Sequence, residues 1–336
     1  MLISADFHTP VDPDVSLDHL YSAQSVIGRY INASPLMVMD GVRSRGGNRI
    51  LLKAECLQPG GSFKIRGALN AIARLSPEQR RRGVVAYSTG NHARAVAMAA
   101  RLFHATATIV MSPDAASAKI EAVCELGATV VMAAATSAAR REMAESLADR
   151  KGLALIPPYD HFDVIHGQGT IALELLSAGL PRLTVLFVPI GGGGLIAGIA
   201  AGVKQLDPTV TVIGVEPEWE DDAYQSFQTG QRVVLPGPSA SIADAVKVQT
   251  LGDLTFPRLH RFVDNVEHVP DDAIRQAMHI AHEACRLILE PAGAIALAAA
   301  LAWRGQPDAT LVAIASGSNT ERIELPSDVA ADQVAD

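Results

Sequence analysis

Short apolar runs bounded by Gly, Asn or Ser alternate with amphipathic helical stretches along most of this chain, and that alternation restricts the fold more than any other feature. Val84–Tyr87, Ala107–Val110, Thr129–Met132, Leu153–Ile156, Leu183–Val188, Val210–Val215 and Leu311–Ala315 read as strands, with helical periodicity between them. The pattern predicts an α/β protein built on doubly wound parallel sheets. Composition agrees, because 49% of the residues are hydrophobic but only 4% aromatic. An excess of small aliphatics suits buried parallel strands under close-packed helices. The 336 residues suffice for two medium domains. Two strand–turn–helix groups each supply part of one site, so a small domain is expected over 84–156 and a large one over 1–83 and 157–336.

Charge excludes several partner classes. The net charge is −8, without an extended basic block, which argues against nucleic acid or acidic membranes. Residues Met1 to Asp14 carry Asp6, Asp12 and Asp14 and no long apolar run, so neither a signal peptide nor an anchor is expected. Cys56, Cys124 and Cys285 are scattered, odd in number and without metal or disulfide spacing, which points to free thiols in a reducing cytoplasm. The stretch from Glu324 onward is acidic and Ala-rich and reads as a frayed tail.

Four short segments carry chemistry. Gly60-Gly61-Ser62-Phe63-Lys64 sets a lysine behind a glycine turn at the mouth of a helix. An amine held partly out of water there can form a Schiff base with an aldehyde cofactor, although a solvated surface lysine is the plain alternative. Ser88-Thr89-Gly90-Asn91-His92 follows a strand and opens a helix, whose N–H groups can receive a carboxylate. Gly191-Gly192-Gly193-Gly194 follows another strand, and four glycines let the backbone wrap a phosphate at a helix N-terminus. Ser316-Gly317-Ser318-Asn319 closes the last strand and offers a hydroxyl to a ring nitrogen. A fifth segment, Glu216 to Asp222, packs five acids into seven residues, either a solvated acidic loop or an oxygen site for Mg²⁺ or Ca²⁺. One rival class competes for the glycine run. Gly192, Gly194 and Ala197 fit a dinucleotide fingerprint, with Glu216 as the ribose acid, so an NAD-dependent dehydrogenase is a distant alternative that leaves Lys64 and the Asn91 turn unexplained.

Taken together, and in this order, the four segments resemble the fold-type II pyridoxal-phosphate enzymes, tryptophan synthase β-like in architecture, and within them the serine/threonine dehydratase and serine racemase group. Pro157-Pro158-Tyr159-Asp160 and Gly167-Gln168-Gly169-Thr170 are similar to that group as well, and the resemblance runs from about Val15 to Asn319. It implies that Lys64 carries the cofactor and later removes the substrate α-proton. Phe63 would pack beneath the ring, Asn91 would bond its 3-oxygen, Gly191, Gly192, Gly193, Gly194 and the Leu195 backbone would cup the phosphate, and Ser316 would face the ring nitrogen. Ser88, Thr89, Gly90, Asn91 and His92 would hold the substrate carboxylate. Glu216, Asp222 and the backbone carbonyl of Glu220 match the divalent-cation site of the racemase-like members.

The implied reaction is loss of water from a β-hydroxy amino acid such as L-threonine or L-serine, giving a 2-oxo acid and ammonia. A racemase on the same scaffold, with Thr89 as opposite-face acid, is the nearest alternative. A dehydratase for a larger substrate (3-hydroxyaspartate, phenylserine or a hydroxyectoine-derived acid) is the other. Thr89, Arg94, His166, Ala245 and Ser318 depart from the group's usual residues and are the positions where a reshaped pocket is expected to show. The group also implies a homodimer, and a catabolic role without isoleucine feedback.

Overall fold

The computed structural model describes residues 14–134, 136–181, 183–237 and 240–320. The first thirteen residues and the acidic stretch from Glu324 lie outside that description. Among the described residues ten strands form two sheets. In chain order they are β1 (Leu36–Arg43), β2 (Arg49–Lys53), β3 (Val84–Tyr87), β4 (Ala107–Met111), β5 (Thr129–Met132), β6 (Ala154–Leu155), β7 (Thr184–Pro189), β8 (Thr211–Pro217), β9 (Asn265–Val269) and β10 (Thr310–Ile314). The larger sheet runs β1-β2-β10-β7-β8-β9 and the smaller β5-β4-β3-β6. Every pairing is parallel except β1 with β2, an antiparallel edge. Both sheets are thus doubly wound, as the strand–helix alternation predicts, with one antiparallel strand added to the larger.

Burial explains which strands the pattern exposes. Every residue of β7 is buried, because helices cover both faces, so it reads as a continuous apolar run. On one face lie helices Phe162–Ser177 and Gly194–Leu206. On the other the alanine-rich helix Pro291–Ala302 presses against β7 and β10. The first pair cross backbone to backbone. A Cβ on Gly198 would meet the Gly169 amide at 2.7 Å and overlap the Ile165 carbonyl. Helix Lys64–Arg74 packs with helix Asn91–Leu102 in the core beside β3 and β4, so the lysine-bearing helix joins the two sheets.

A buried ion cluster fixes that helix. Arg66, 1% exposed, donates from Nε to Glu55 at 2.7 Å and from Nη1 to Glu174 at 2.6 Å. Lys53 closes the set, reaching Glu174 at 2.5 Å and the Ser34 carbonyl at 2.6 Å. Such clusters are held by mutual satisfaction, and losing one member strands the rest.

Candidate active site

The lysine turn is stitched to the end of the last strand. Gly60 and Gly61 take φ of 81° and 74°, the left-handed region that favours glycine. Ser62 bridges to Gly317, and the Phe63 amide donates to the Ser316 carbonyl at 3.2 Å. Residues far apart in the chain, Lys64 and Ser316, are thereby neighbours. Lys64 opens its helix, and its Nζ donates to the Pro158 carbonyl at 2.8 Å while lying 5.1 Å from the Phe63 ring centre. Burial lowers this amine to about 8, with the charge of Glu290 opposing the drop. A sizeable neutral fraction near neutral pH is what a nucleophilic or basic lysine needs.

The second turn faces an opening. Asn91 begins helix Asn91–Leu102, capped by Gly90, and a Cβ on Gly90 would meet nothing within 4 Å. Ser88 Oγ accepts from the Gly90 amide at 3.2 Å, which holds the turn, and Thr89 is half-buried beside it. The N–H groups of the helix's first turn have no intrahelical partner and point toward that open space. His92 goes the other way. Its ring is buried, with Nε2 2.8 Å from the Ile156 carbonyl, and burial followed by the charge of Lys64 lowers it to about 3. The ring therefore stays neutral, and its chemistry is positional.

Sequence reasoning missed Glu290. This buried carboxyl accepts from Asn91 Nδ2 at 2.5 Å, and burial pushes it up to about 7. The Asn91 amide oxygen receives Asn319 Nδ2 at 2.8 Å, and Asn319 also donates to the Gly60 carbonyl. The available signal was an acid directly before Pro291, a helix-opening position, which is ordinary in a sequence.

The glycine loop lies between β7 and helix Gly194–Leu206, with Gly193 at φ 88°. A Cβ on Gly192 would overlap the Tyr159 ring, and one on Gly194 would sit 2.9 Å from the Tyr159 backbone. The Gly192 carbonyl accepts from Thr255 Oγ1 at 2.7 Å. Among the described residues no backbone carbonyl receives the Gly192 or Gly193 amide. This leaves a cradle of free N–H groups at a helix N-terminus, including Leu195, suited to a phosphate. Ser316 is buried, its hydroxyl donating to the Ala292 carbonyl at 3.2 Å. Lys64, the Asn91 turn, the glycine loop through Tyr159, and Ser316 are thus linked by direct contacts, and these residues fit pyridoxal phosphate.

Glu216 and Asp222 sit at the end of β8 and the start of the next helix, both buried. The Glu216 carboxylate accepts from the Ala223 and Tyr224 amides at 3.3 and 2.8 Å, so it caps a helix, which removes the reason for reading it as a ribose acid. Burial, then Asp222, holds Glu216 well above the carboxylate range; burial, then Glu220, brings Asp222 to about 8. Asp222 Oδ2 has no hydrogen-bond partner among the described residues. No group of three His, Cys, Asp or Glu side chains that could hold a metal occurs among the described residues. The expected site asks only for two carboxylates and the Glu220 carbonyl, and an orphaned carboxylate oxygen is the donor chemistry a hard cation takes.

The atypical positions separate. Arg94 is exposed and donates to Asn319 at 3.1 Å, so it adjoins the Asn91 network. Ser318 donates to the Cys56 carbonyl at 3.0 Å, and Val246, next to Ala245, backs Gly191. His166 bonds the Asp14 carbonyl at 2.6 Å and stacks on His19 at 4.7 Å, which is the packing role of an ordinary core histidine. Among the described residues no helix is long and apolar enough to cross a membrane, and all three cysteines are free.

Comparison with known proteins accounts for the constellation. A family model described as pyridoxal-phosphate dependent enzyme matches residues 27–317. The chain is 41% identical over 279 residues to an L-threo-3-hydroxyaspartate ammonia-lyase of Saccharomyces cerevisiae, covering 83% of this chain and 85% of that protein. It is 40% identical to a serine racemase of Arabidopsis thaliana, covering 85% and 86%. Among solved structures, the processed form of threonine deaminase isoform 2 from Solanum lycopersicum superposes with a TM-score of 0.84 at 36% identity, over 91% of this chain and 91% of that one. A buried lysine at a helix mouth, a glycine loop with free N–H groups and an open helix N-terminus therefore have one explanation, which excludes the dehydrogenase reading: the chain belongs to the pyridoxal-phosphate-dependent enzymes, in their fold-type II branch.

Proposed function

We propose that this enzyme is an ammonia-lyase for a small β-hydroxy amino acid, converting it to a 2-oxo acid and ammonia by breaking the Cα–H and Cβ–O bonds. The observation that carries the reading is the Lys64 amine, lowered to about 8 and linked through its own turn to an open helix N-terminus at Gly90. Pyridoxal phosphate, when bound, withdraws electrons from Cα and so lowers the cost of removing its proton. Lys64, Phe63, Asn91, Ser316 and the backbone from Gly191 to Leu195 would hold it. The Ser88–His92 turn binds the substrate carboxylate through backbone N–H groups and the helix dipole. That placement leaves the α-proton toward Lys64, which takes it as general base. The neutral His92 ring adds no competing acid. Glu216, Asp222 and the Glu220 carbonyl would take Mg²⁺ or Ca²⁺, whose charge offsets the repulsion between the two carboxylates and steadies the end of β8.

The reading places the site between residues 84–156 and the rest of the chain, in a cytoplasmic homodimer. Its support is the set of relatives, which includes ammonia-lyases acting on L-threo-3-hydroxyaspartate, threonine dehydratase and serine racemases. The test is ammonia release from separate stereoisomers of serine, threonine, 3-hydroxyaspartate and phenylserine, with Mg²⁺ and then with chelator. Turnover of at least one, lost in Lys64→Ala together with the visible absorbance of the cofactor, supports the reading; silence across the panel refutes it. Racemisation is the second activity to assay. Thr89→Ala should abolish it while sparing elimination.

A further inference from the structure

Residues 191–194 are all glycine, so the loop that suits a phosphate has no side chains of its own to fix the direction of its peptide planes. The plane between Gly192 and Gly193 matters most. In a trans peptide the carbonyl and the following N–H point opposite ways. One flip would therefore put the Gly192 oxygen where the Gly193 N–H now stands. A carbonyl oxygen facing the cradle would repel a phosphate, whereas an N–H receives it. Only contacts from outside the loop can choose between the two.

Thr255 supplies such a contact. Its side chain is fully buried, and its Oγ1 donates to the Gly192 carbonyl at 2.7 Å while accepting from the Gly252 amide at 2.9 Å. The Gly252 amide reaches the same carbonyl at 3.3 Å. The loop is pressed against this clasp, since a Cβ on Gly193 would lie 2.8 Å from Thr255 Oγ1. Asp160 holds the clasp in turn. Its two carboxylate oxygens accept from the Asp253 and Leu254 amides at 3.0 and 2.8 Å, at the start of helix Thr255–Phe262. A carboxylate suits that place, where amides lack intrahelical partners. Asp160 follows Tyr159, whose ring backs Gly192, and Pro158, whose carbonyl takes Lys64 Nζ. Three consecutive residues thus touch the lysine, the loop and the clasp on the loop.

We infer that Thr255, held by Asp160, is a positioning residue for the cofactor: it pins the Gly192 carbonyl away from the cradle and so presents the Gly193 N–H to the phosphate. This rests on reading the glycine loop as the phosphate cradle. Both side chains act through the peptide plane rather than by touching the substrate. Without the hydroxyl, the two orientations of the plane come closer in energy, and part of the binding free energy goes into ordering the loop. The effect belongs to the phosphate alone, because the rest of the cofactor is held elsewhere, at Lys64, Asn91 and Ser316.

The experiment compares affinity for pyridoxal phosphate with affinity for pyridoxal, which lacks the phosphate, by equilibrium dialysis. The proteins are the wild type, Thr255→Val, Thr255→Ser, Asp160→Asn and Gly192→Ala, each purified as holoenzyme before exchange. Thr255→Val keeps the shape and loses the hydroxyl, so pyridoxal phosphate should be held about 10-fold more weakly and pyridoxal less than about 2-fold more weakly. Thr255→Ser keeps the donor and should stay within about 3-fold of the wild type for both. Asp160→Asn keeps one acceptor oxygen and should weaken pyridoxal phosphate alone, by about 3-fold. Wild-type affinity in Thr255→Val, or equal weakening of both ligands, overturns this inference alone so long as Gly192→Ala still loses the phosphate ligand. Should Thr255→Val fail to fold, Asp160→Asn decides by the same contrast. A Gly192→Ala protein that holds pyridoxal phosphate as tightly as the wild type overturns the cradle reading itself, and this inference with it.

Discussion

Replacing Glu290 by Gln should stabilise the protein in alkaline solution far more than in acid. The carboxyl is buried against Asn91, and the titratable groups that act on it or feel it are Lys64, Lys119, Asp244 and Cys56. An unfolded chain releases this proton near 4.5, and the folded one holds it until about 7. Between those values the native state binds more protons, so stability from this group is complete below 4.5 and is lost as pH rises through 7. The full loss is roughly 3 kcal/mol, from about 1.4 kcal/mol for each tenfold change. At pH 5 the loss is about 1 kcal/mol, and at pH 8 nearly all of it is present. Gln cannot ionise, and its amide oxygen can still accept from Asn91. The assay is urea unfolding of wild type and variant holoenzyme at pH 5 and pH 8. Whatever constant offset the amide adds, the difference should move in the variant's favour by about 2 kcal/mol between the two. Equal differences at both pH values would refute the argument.

Other outcomes follow from packing. Arg66→Met leaves Glu55 and Glu174 facing each other without their shared partner, so unfolding free energy should drop by about 3–5 kcal/mol in denaturant titration. Gly192→Ala puts a methyl against the Tyr159 ring; equilibrium dialysis should show pyridoxal phosphate held at least about 10-fold more weakly, with little change in far-UV circular dichroism. A thiol reagent at pH 7.5 should modify exposed Cys124 first and native Cys56 last, since burial pushes the latter up to about 12.

Much of the fold was legible because parallel strands buried on both faces must be apolar throughout. Seven strands were found this way, most within one residue of their ends; the Leu153–Ile156 run keeps only Ala154–Leu155. β1, β2 and β9 escaped notice for the opposite reason. β1 is an edge whose residues are mostly exposed or half-buried, Asp40 among them, and β2 and β9 carry Arg49, Lys53, Glu267 and His268 within five-residue strands. Nothing periodic remains in such short mixed segments. The site divided along similar lines. Glycines and a lysine at strand ends advertise themselves, because few other residues fit those turns. Glu290 did not, since its role exists only once Pro291 starts a helix beneath the Ser316 turn.

The last described strand lies in the middle of its sheet, between β2 and β7. On the ribosome, β10 is made after every strand it must join, so until it arrives the larger sheet has an open seam. The turn that steadies Lys64 waits on the same event, because its partners are Ser316 and Gly317. Cofactor capture should therefore be a late step rather than a guide to early folding. A chain cut short before Thr310 would be a split sheet with two adhesive edges, a substrate for quality control rather than a slightly weaker enzyme.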